Sequence, residues 1–352
     1  MTNRVLNVKN LSIEIPLADG VLHAVDDISL HVDRGETLCI VGESGCGKSL
    51  TSLALMDLLP KKAIRKVSEL DLNGESILGL TEKQMSNIRG NRIGMIFQEP
   101  MTSLNPAFTI ENQMVETLSR HKSLTGNAAT ELAVEMLEKV GISPAKQRLK
   151  QYPHQLSGGL RQRVMIAMTL LCDPELIIAD EPTTALDVTI QAQILDLLGQ
   201  LQQDLNVGLI FITHDLGVVA NIADRVAVMY AGQIVEEGSV FEIFDRPTHP
   251  YTRGLLQCIP VPGKVKRGEP LGSIPGMVPS LIGEMKGCRF SGRWSQALAW
   301  DKDEIKIKSI ETRTRTFKVN DNANHLVRFC CDECLNKSAL KIAPVTASGA
   351  VA

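Results

Sequence analysis

The feature that most constrains this chain is a glycine-rich segment placed between an apolar run and a helical pattern. Residues 42–49 read GESGCGKS, the apolar run Thr37 to Val41 precedes them, and a helical pattern follows from Leu50 to Leu59. The segment satisfies G-x-x-x-x-G-K-[ST] in the strand, loop and helix order that this phosphate-binding motif requires. The sequence therefore predicts an α/β fold with a nucleotide site after its first buried strand.

Each residue type in this phosphate loop has a physical task. Glycines allow tight turns that bring backbone N–H groups onto phosphate oxygens, and the following helix directs its positive end at the same anion. Lys48 is expected to reach the β and γ phosphates, and Ser49 to bind Mg²⁺. The alternative is a glycine-rich turn with a lysine nearby. The candidate nucleotide-binding residues here are Gly42, Glu43, Ser44, Gly45, Cys46, Gly47, Lys48, Ser49 and Leu50.

Cys46 lies between two glycines near a predicted helix N-terminus and close to Lys48. Positive charge at such a position favours the thiolate form of cysteine. The sequence therefore predicts a reactive thiol that bound nucleotide would protect from alkylation. The alternative is a small side chain that fills space and is shielded by the fold.

A second apolar segment, Leu176 to Ala179, ends in the two acids Asp180 and Glu181. A strand in a buried parallel sheet needs no polar alternation, and such sheets bind ligands at the carboxyl ends of their strands. Asp180 is predicted to serve Mg²⁺, which leaves Glu181 free to act as a base on an attacking water. An acidic turn at a strand end is the alternative.

A motif just before these acids separates this chain from other phosphate-loop families. The run LSGGLRQ begins at Leu156, and the first 260 residues or so resemble an ATP-binding cassette (ABC) ATPase, whose signature is an LSGGQ-like stretch at this place. Ser157, Gly158 and Gly159 open a predicted helix, so exposed N–H groups and a hydroxyl form a second anion site. The resemblance implies a head-to-tail dimer in which each signature closes on the ATP of the other subunit.

Three further positions match this resemblance in the order of the family. Gln98, after the predicted strand Ile93 to Phe97, matches the Q-loop glutamine, which contacts Mg²⁺ and the attacking water and links ATP to the membrane partner. Ala185 to Asp187 matches the D-loop at the dimer interface. His214, which ends the strand Leu209 to Thr213, matches the histidine that contacts the γ phosphate. A strand-end histidine taken alone is more often structural.

The resemblance implies a P-loop NTPase ABC cassette: a RecA-like mixed sheet core with a β-rich subdomain, an inserted α-helical subdomain and a C-terminal extension. Strand patterns at 5–15 and 28–32 belong to the β-rich start, and amphipathic stretches Ile110 to Arg120 and Ala128 to Val140 indicate the helical insertion. The predicted boundaries are 1–98 for the N-terminal core, 99–156 for the helical subdomain, 157–245 for the rest of the core and 246–352 for the extension.

The adenine contact departs from the family pattern. The family stacks the base on an aromatic side chain in the first strand region, and the matching residue here is Ile15. An aliphatic side chain gives burial without stacking, which contributes about 1–3 kcal/mol per base in nucleic-acid complexes. His23 is the other candidate, although an exposed histidine in a hairpin is the simpler interpretation.

The last hundred residues or so indicate which branch of the ABC ATPase family this chain resembles. The stretches Arg246 to Leu256 and Ile274 to Leu281 are similar to the C-terminal segment of oligopeptide and dipeptide importer ATPases. Physically they are proline-rich turns that bound a short helix. They predict an ordered extension packed on the core, with no chemistry of its own.

That branch often holds an iron–sulfur cluster on four cysteines, and here the pattern is broken. Cys288 fits the first ligand, but Trp294 and the neighbourhood of Trp300 and Asp301 stand where further cysteines are expected. An indole cannot replace a thiolate ligand, so no iron–sulfur cluster is expected. The alternative is a rebuilt site made of Cys288, Cys330, Cys331 and Cys334.

Composition limits the classes of function. A chain of 352 residues with 44% hydrophobic residues can fill a sizeable core, and a net charge of −3 without a basic run argues against a dedicated nucleic-acid binder. No apolar stretch reaches the roughly 18 residues of a membrane helix, and Met1 to Asn10 lacks a signal-peptide core, so membrane association is expected through partners. Eight unevenly spaced cysteines do not read as a disulfide framework.

The resemblance implies an ATPase subunit, with ATP and Mg²⁺, of a peptide ABC importer at the cytoplasmic face of the inner membrane. Its partners would be a second ATPase subunit in a homo- or heterodimer, two membrane permease subunits and, indirectly, a solute-binding protein, but no nucleic acid. Glu99, Pro100 and 103–106 are the candidate permease contacts. The alternatives are an importer ATPase for nickel or another small solute, a soluble ABC ATPase acting on nucleic acid or ribosomes, and a non-hydrolysing regulatory member of a transporter pair.

Overall fold

The structure is a computed structural model, and its strands and helices alternate through most of the chain. It describes residues 3–184, 186–259, 272–283, 289–293, 306–311, 316–319, 322, 324–328 and 341–342. The strands are β1 Arg4–Leu17, β2 Gly20–Asp33, β3 Thr37–Val41, β4 Ile64–Lys66, β5 Glu69–Leu72, β6 Glu75–Ser76, β7 Ile93–Ile96, β8 Leu176–Asp180, β9 Gly208–Thr213, β10 Arg225–Tyr230, β11 Gln233–Ser239, β12 Lys306–Glu311, β13 Thr316–Val319, β14 Leu326–Arg328 and β15 Lys341–Ile342.

The helices lie between these strands along the chain, and five of them, α3 to α7, lie between β7 and β8. They are α1 Lys48–Leu55, α2 Glu82–Ile88, α3 Pro100–Ser103, α4 Ile110–Lys122, α5 Gly126–Lys139, α6 Ala145–Leu149, α7 Gly158–Leu170, α8 Val188–Leu205, α9 Leu216–Ile222, α10 Val240–Asp245 and α11 Pro250–Gln257. Two short 3₁₀ turns cover Pro153–Gln155 and Ser291–Arg293.

The larger sheet carries the predicted nucleotide site. Its strand order is β15-β12-β13-β14-β11-β10-β3-β9-β8-β7, and the five strands from β10 to β7 are parallel. From β10 outward, β11, β14, β13 and β12 pair antiparallel. The described part of the extension therefore continues the core sheet through the pairing of β14 with β11.

The central strands explain the apolar runs in the sequence. Every residue of β3, β8 and β9 is buried, because both faces of this sheet are covered. Successive side chains of a strand point to opposite faces. Leu38 and Ile40 of β3 join a core shared with the smaller sheet, whereas Cys39 and Val41 join the core formed with the helices. The predicted α/β class with a mixed sheet is confirmed.

The smaller sheet is the β-rich start of the chain. Its order is β2-β1-β5-β6, with β4 paired to β1, and all these pairings are antiparallel. The hairpin β1–β2 is longer than the strand patterns at 5–15 and 28–32 predict. Register shifts interrupt it, and Asp27 adopts a left-handed φ of 51° within β2, so the alternation that marks a strand is broken there.

The two amphipathic stretches predicted to be helical form α4 and α5, which pack together. The side chains of Ile110, Met114 and Leu118 lie at helical spacing on α4 and are fully buried. Thr109 caps α4 by accepting a hydrogen bond from the backbone N–H of Asn112. In the described ranges, no helix combines the length and the apolar character that crossing a lipid bilayer requires.

Candidate active site

The phosphate loop joins β3 to α1 at the carboxyl edge of the parallel strands, and the fold leaves two of its glycines, Gly42 and Gly47, no room for side chains. A Cβ atom on Gly42 would lie 2.1 Å from the backbone oxygen of Met229, and one on Gly47 would lie 2.5 Å from that of Ala24. Gly47 also has a φ of 104°, which other residues rarely adopt. Helix α1 ends at Leu55, earlier than predicted, and Asp57 behind it adopts a left-handed φ of 54°.

Lys48 keeps its ammonium inside this loop. The side chain is nearly buried, and Nζ donates hydrogen bonds to the backbone oxygens of Gly42 at 2.8 Å and Glu43 at 3.1 Å. Nζ also lies 3.8 Å from Cys46 Sγ. A buried cation with such partners remains available to an anion that enters the loop. The loop therefore fits the phosphate groups of a nucleotide.

Ser49 and Asp180 meet where the loop and β8 face each other. Ser49 Oγ donates a hydrogen bond of 3.1 Å to Asp180 Oδ1. Burial raises the pKa of the Asp180 carboxyl above its ordinary value, and the hydrogen bond from Ser49 opposes this rise. One carboxylate and one hydroxyl beside a phosphate site are the kind of oxygen set that Mg²⁺ uses in nucleotide-binding proteins. The two residues therefore fit the predicted magnesium ligands.

Glu181 is the centre of a polar cluster that follows β8. Its Oε2 accepts hydrogen bonds from Gln98 Nε2 and Thr184 Oγ1, both at 3.0 Å, and its Oε1 lies 3.2 Å from His214 Nδ1. Glu181 has a left-handed φ of 46°, and its N–H donates to the Ile212 oxygen of β9. A non-glycine residue held in this region indicates that the site fixes its orientation.

The structure thus brings together three residues that lie far apart in the sequence: Gln98, Glu181 and His214. Gln98 contacts the carboxylate of Glu181 through its amide nitrogen. Its further role as a magnesium ligand stays a prediction. Thr184 is a member of the cluster that sequence reasoning missed, and its position three residues after Glu181 is the only signal that marked it.

The signature residues lie on a separate part of the surface. Ser157 caps α7 by accepting a hydrogen bond from the N–H of Leu160, and both Ser157 and Gly158 are exposed. A Cβ atom on Gly159 would lie 2.8 Å from Ile190 Cγ2 of α8, so the glycine permits close packing of these helices. An exposed helix N-terminus of this kind can accept an anion from outside the chain.

The D-loop lies beside the signature. Asp187 caps α8 by accepting a hydrogen bond of 3.0 Å from the N–H of Ile190, and Leu186 approaches the position of Gly158. Ala185 lies outside the described residues. Val188, the first residue of α8, is 83% exposed, which gives this surface an apolar contact point.

The two adenine candidates lie near the tip of the hairpin β1–β2. Ile15 pairs with Leu22 and packs at the edge of the smaller sheet's core. His23 pairs with Glu14, with Nδ1 3.8 Å from Glu14 Oε1, and its N–H donates to the Leu281 oxygen. The choice between Ile15 and His23 stays a prediction.

The prediction of a reactive thiolate at Cys46 is wrong. The side chain is fully buried, and burial raises the pKa of the thiol above its ordinary value, while the nearby charge of Lys48 only opposes this rise. A Cβ atom on Gly42 would come within 2.9 Å of Cys46 Sγ. The alternative interpretation, a small side chain that fills space under the loop, is the one that fits.

The extension, predicted to pack on the core, also contacts the phosphate loop. Tyr251 and Arg293, both in the extension, bind the loop residue Glu43. The cysteines and tryptophans on which the iron–sulfur prediction depends lie outside the described residues: Cys288, Trp294, Trp300, Cys330, Cys331 and Cys334. That prediction therefore stays open.

Comparison with known families divides the chain as its motifs do. Residues 25–184 match the family described as "ABC transporter", and residues 235–299 match "Oligopeptide/dipeptide transporter, C-terminal region". The first match contains the phosphate loop and the two acids at the end of β8. The second contains Tyr251 of α11 and Arg293, the two extension residues that contact Glu43.

Comparison with individual proteins gives similar results. The chain is 51% identical over 319 residues to "Oligopeptide transport ATP-binding protein OppD" of Bacillus subtilis (strain 168), covering 90% of this chain and 87% of that protein. It is 50% identical over 291 residues to "Dipeptide transport ATP-binding protein DppD" of the same organism, covering 82% and 86%. Among solved structures, a dimeric post-hydrolysis state of the ATP-binding cassette MJ0796 bound to ADP and Pi matches with a TM-score of 0.60 and 26% identity, covering 67% of this chain and 98% of that one.

Proposed function

Because the chain belongs to the ABC transporter family of ATPases, we propose that it hydrolyses ATP to drive peptide import through separate membrane subunits. The observation that carries the proposal is the match to "Oligopeptide transport ATP-binding protein OppD", at 51% identity over 90% of this chain. The geometry of the carboxyl edge supports the chemistry, since a buried lysine, a hydroxyl–carboxylate pair and an oriented glutamate meet there.

The residues divide the reaction between binding and proton transfer. The ammonium of Lys48 and the loop amides bind the γ phosphate. Ser49 and Asp180 would hold Mg²⁺, which would supply positive charge near the phosphate oxygens. Glu181 takes a proton from the attacking water, and Gln98 and His214 hold its carboxylate in place for that transfer.

A second subunit completes the site in this proposal. Ser157, Gly158 and Gly159 present a helix N-terminus at the surface, and the D-loop lies next to it. One γ phosphate cannot occupy both this site and the phosphate loop of the same chain. The signature of one subunit therefore closes on the nucleotide of the other, in a homo- or heterodimer, and the dimeric form of the cassette MJ0796 supports this arrangement.

The surface after Gln98 is proposed to bind the membrane permease subunits. Glu99 is exposed and is the N-cap residue of α3, and three aromatic side chains between residues 97 and 152 are also exposed: Phe97 at 40%, Phe108 at 51% and Tyr152 at 40%. The N–H of Ile110 donates to the Gln151 oxygen, which ties the segments of Phe108 and Tyr152 together. Exposed aromatic side chains are typical of contact surfaces for another protein.

The remaining partners and the location follow from this arrangement as proposals. Two permease subunits would bind the dimer at the cytoplasmic face of the inner membrane, and a solute-binding protein would act through them. The peptide class of solute comes from the names of the relatives, whereas nickel or another small solute would require the same ATPase chemistry. The names of these relatives give no support to an action on nucleic acid or ribosomes.

The experiment reconstitutes the chain with its permease subunits and binding protein in lipid vesicles. We expect ATP hydrolysis to rise when the binding protein carries an oligopeptide, and to stay basal with Ni²⁺ or with RNA. The Glu181→Gln variant should assemble in the same complex and show no stimulation. Stimulation by Ni²⁺ or RNA instead of peptide would contradict the proposed solute, and failure to assemble with any permease would contradict the importer role.

A further inference from the structure

Glu43, the second residue of the phosphate loop, has all of its polar groups bound. Its N–H donates a hydrogen bond of 2.9 Å to the hydroxyl of Tyr251. Its carboxylate accepts two hydrogen bonds from Arg293, at 2.5 and 2.9 Å. Its backbone oxygen accepts from the N–H of Cys46 at 3.3 Å and from Lys48 Nζ at 3.1 Å.

The Arg293 side chain is fixed from the extension. It is only 6% exposed, its Nε donates to the Pro275 oxygen at 2.9 Å, and its Nη2 donates to the Ile274 oxygen at 3.3 Å. The guanidinium also lies over the ring of Tyr230, 5.7 Å from its centre. The paired carboxylate of Glu43 raises the pKa of Arg293, so the charge is permanent. Two parallel hydrogen bonds between a guanidinium and a carboxylate fix the orientation of the carboxylate as well as its distance from the guanidinium.

Tyr251 is fixed from a different part of the extension. It lies on α11, is fully buried, and packs against the rings of Tyr230 at 4.5 Å and Phe290 at 5.7 Å between centres. Its N–H donates to His249 Nδ1 at 3.1 Å. Burial raises the pKa of the phenol, which therefore stays neutral and keeps its hydroxyl as the acceptor for Glu43.

These contacts converge on the residue whose carbonyl holds the Lys48 ammonium. A rotation of the Glu43 peptide would move that carbonyl and the turn closed by Cys46 together. An ordered loop loses less conformational freedom when a ligand enters than a loose one does. The orientation of the Glu43 peptide should therefore affect how tightly the loop binds a nucleotide.

We propose that Tyr251 and Arg293 are positioning residues for the nucleotide site, acting through Glu43 to hold the phosphate loop in its binding form. The inference rests on the proposed function, in that it assumes the loop binds ATP. It assigns to the extension a role in that binding, in addition to packing. We call Glu43, Tyr251 and Arg293 the Glu43 clamp.

Other contacts already attach the extension to the core, so the clamp is not needed for attachment alone. Arg289 donates to Asp26 Oδ2 and to the Ala231 oxygen, each at 2.5 Å. Glu236 of β11 accepts from the N–H groups of Thr248 and His249 at 2.6 and 2.8 Å. Arg289 lies four residues before Arg293 and offers a matched control that loosens the same segment without touching Glu43.

The test measures ADP binding by calorimetry on the purified full chain with Mg²⁺, which avoids turnover. We expect Tyr251→Phe and Arg293→Gln each to weaken ADP binding by about 5- to 10-fold, the lower end of the range of an allosteric or preorganising coupling. The Arg289→Gln control should lower the unfolding temperature of the nucleotide-free chain and leave the dissociation constant within about twofold.

A double-variant cycle then separates positioning from general damage. Glu43→Gln with Arg293→Gln should bind ADP no more weakly than either single variant, because both remove the same pair. A purely structural role would give unfolding temperatures that fall while the ADP dissociation constants stay at the wild-type value, and this result would overturn the proposal.

Two further outcomes remain distinct. If Arg293→Gln does not fold, Tyr251→Phe and Glu43→Gln carry the test, since each keeps the shape of its side chain, and unchanged ADP binding in both would refute the clamp. If the wild-type chain binds neither ADP nor ATP, the proposed function fails, and the clamp fails with it for a different reason.

Discussion

Two glutamates stand at the carboxyl edge of the central sheet, Glu43 in the phosphate loop and Glu181 after β8, and they differ in what surrounds them. Glu181 accepts hydrogen bonds from an amide and a hydroxyl and lies beside an imidazole that is 52% exposed. Glu43 is paired at two points with the guanidinium of Arg293, which is nearly buried. The same residue type thus meets an amide, a hydroxyl and an imidazole in one place and a fixed guanidinium in the other.

This difference decides what each carboxylate can do. A general base needs a carboxylate oxygen that can face the attacking water, whereas both carboxylate oxygens of Glu43 accept hydrogen bonds from Arg293. Glu181, the proposed base, is contacted by the Gln98 amide, the Thr184 hydroxyl and the His214 ring. Glu43 instead transmits the position of the extension to the loop. Chemistry and positioning are therefore separated by partner type within one edge of the sheet.

The largest expected effect comes from replacing Glu181, the glutamate of the comparison that is proposed to act as the base. Glu181→Gln should bind ATP but lose turnover by about 10²- to 10⁴-fold, because the amide keeps the shape and cannot accept the proton. Single-turnover rates and sizing chromatography with ATP measure the loss and the accumulation of a closed dimer. Glu43→Gln is the contrasting variant: it should weaken nucleotide binding and keep most of the hydrolysis rate at saturating ATP. Near-wild-type hydrolysis in Glu181→Gln would remove this residue from the role of base.

The next prediction extends the comparison to the second subunit. A Lys48→Ala chain and a Ser157→Arg chain should each be inactive as homodimers, since every composite site then lacks one half. Mixing them should restore partial ATP hydrolysis, because one of the two sites in the heterodimer contains both intact halves. Rates are measured against the fraction of heterodimer. Persistent inactivity in proven heterodimers would mean that the sites are not composite or not independent.

A third prediction addresses Cys46, which lies under the loop on the side of Glu43. Its thiol is fully buried and its pKa is raised, so alkylation in the folded chain should be at least about tenfold slower than after unfolding. Mass spectrometry follows the rate, with the less buried Cys258 as an internal reference that should react first. Rapid alkylation of Cys46 that ATP prevents would restore the reactive thiolate interpretation.

A fourth prediction concerns His249, whose Nδ1 accepts the hydrogen bond from the N–H of Tyr251. Burial lowers the pKa of His249 from 6.5 to about 3, so the unfolded chain binds a proton there that the folded chain does not. Stability therefore falls as the pH falls through the window between those two values. His249→Asn keeps an acceptor for the Tyr251 N–H and removes the titration. Its unfolding temperature should change less between pH 7 and pH 5 than that of wild type or of the control His154→Asn.

The smallest expected effect is the absence of a signal. Protein purified without oxygen should be colourless, with iron well below one atom per chain, because two tryptophan positions replace expected cysteine ligands. Elemental analysis and the visible spectrum measure this. A brown protein that loses its colour on Cys288→Ser would show that a metal also organises the extension that holds Glu43.

The parts of the site that follow from the sequence are those written in short contiguous motifs. The phosphate loop, the acids after β8 and the capped signature each depend on neighbours in the chain, because turns, strand ends and helix starts are local. Parallel strands then bring Gln98, Glu181 and His214 to one edge by geometry alone.

What the sequence did not reveal depends on distance and burial. Tyr251 and Arg293 are 208 and 250 residues from Glu43, and only the packing of α11 and the turn at Arg293 brings them together. Cys46 was misjudged because chain neighbours show the charge of Lys48 but not the burial that outweighs it. Thr184 has an ordinary turn position, and its contact with Glu181 follows from the left-handed backbone there.

The pairing of β14 with β11 bears on where this chain can be cut. Val327 and Leu326 of β14 pair with Glu236 and Glu237 of β11. His325 Nε2 lies 2.9 Å from Oε1 of the buried Glu236 carboxylate. A protein shortened after α11 would present an open strand edge, which favours pairing with other chains, and a carboxylate deprived of one partner. The cassette and its C-terminal extension are therefore expected to fold as one unit. A protein made of the first 260 residues alone should associate with other chains and should not work as a smaller ATPase.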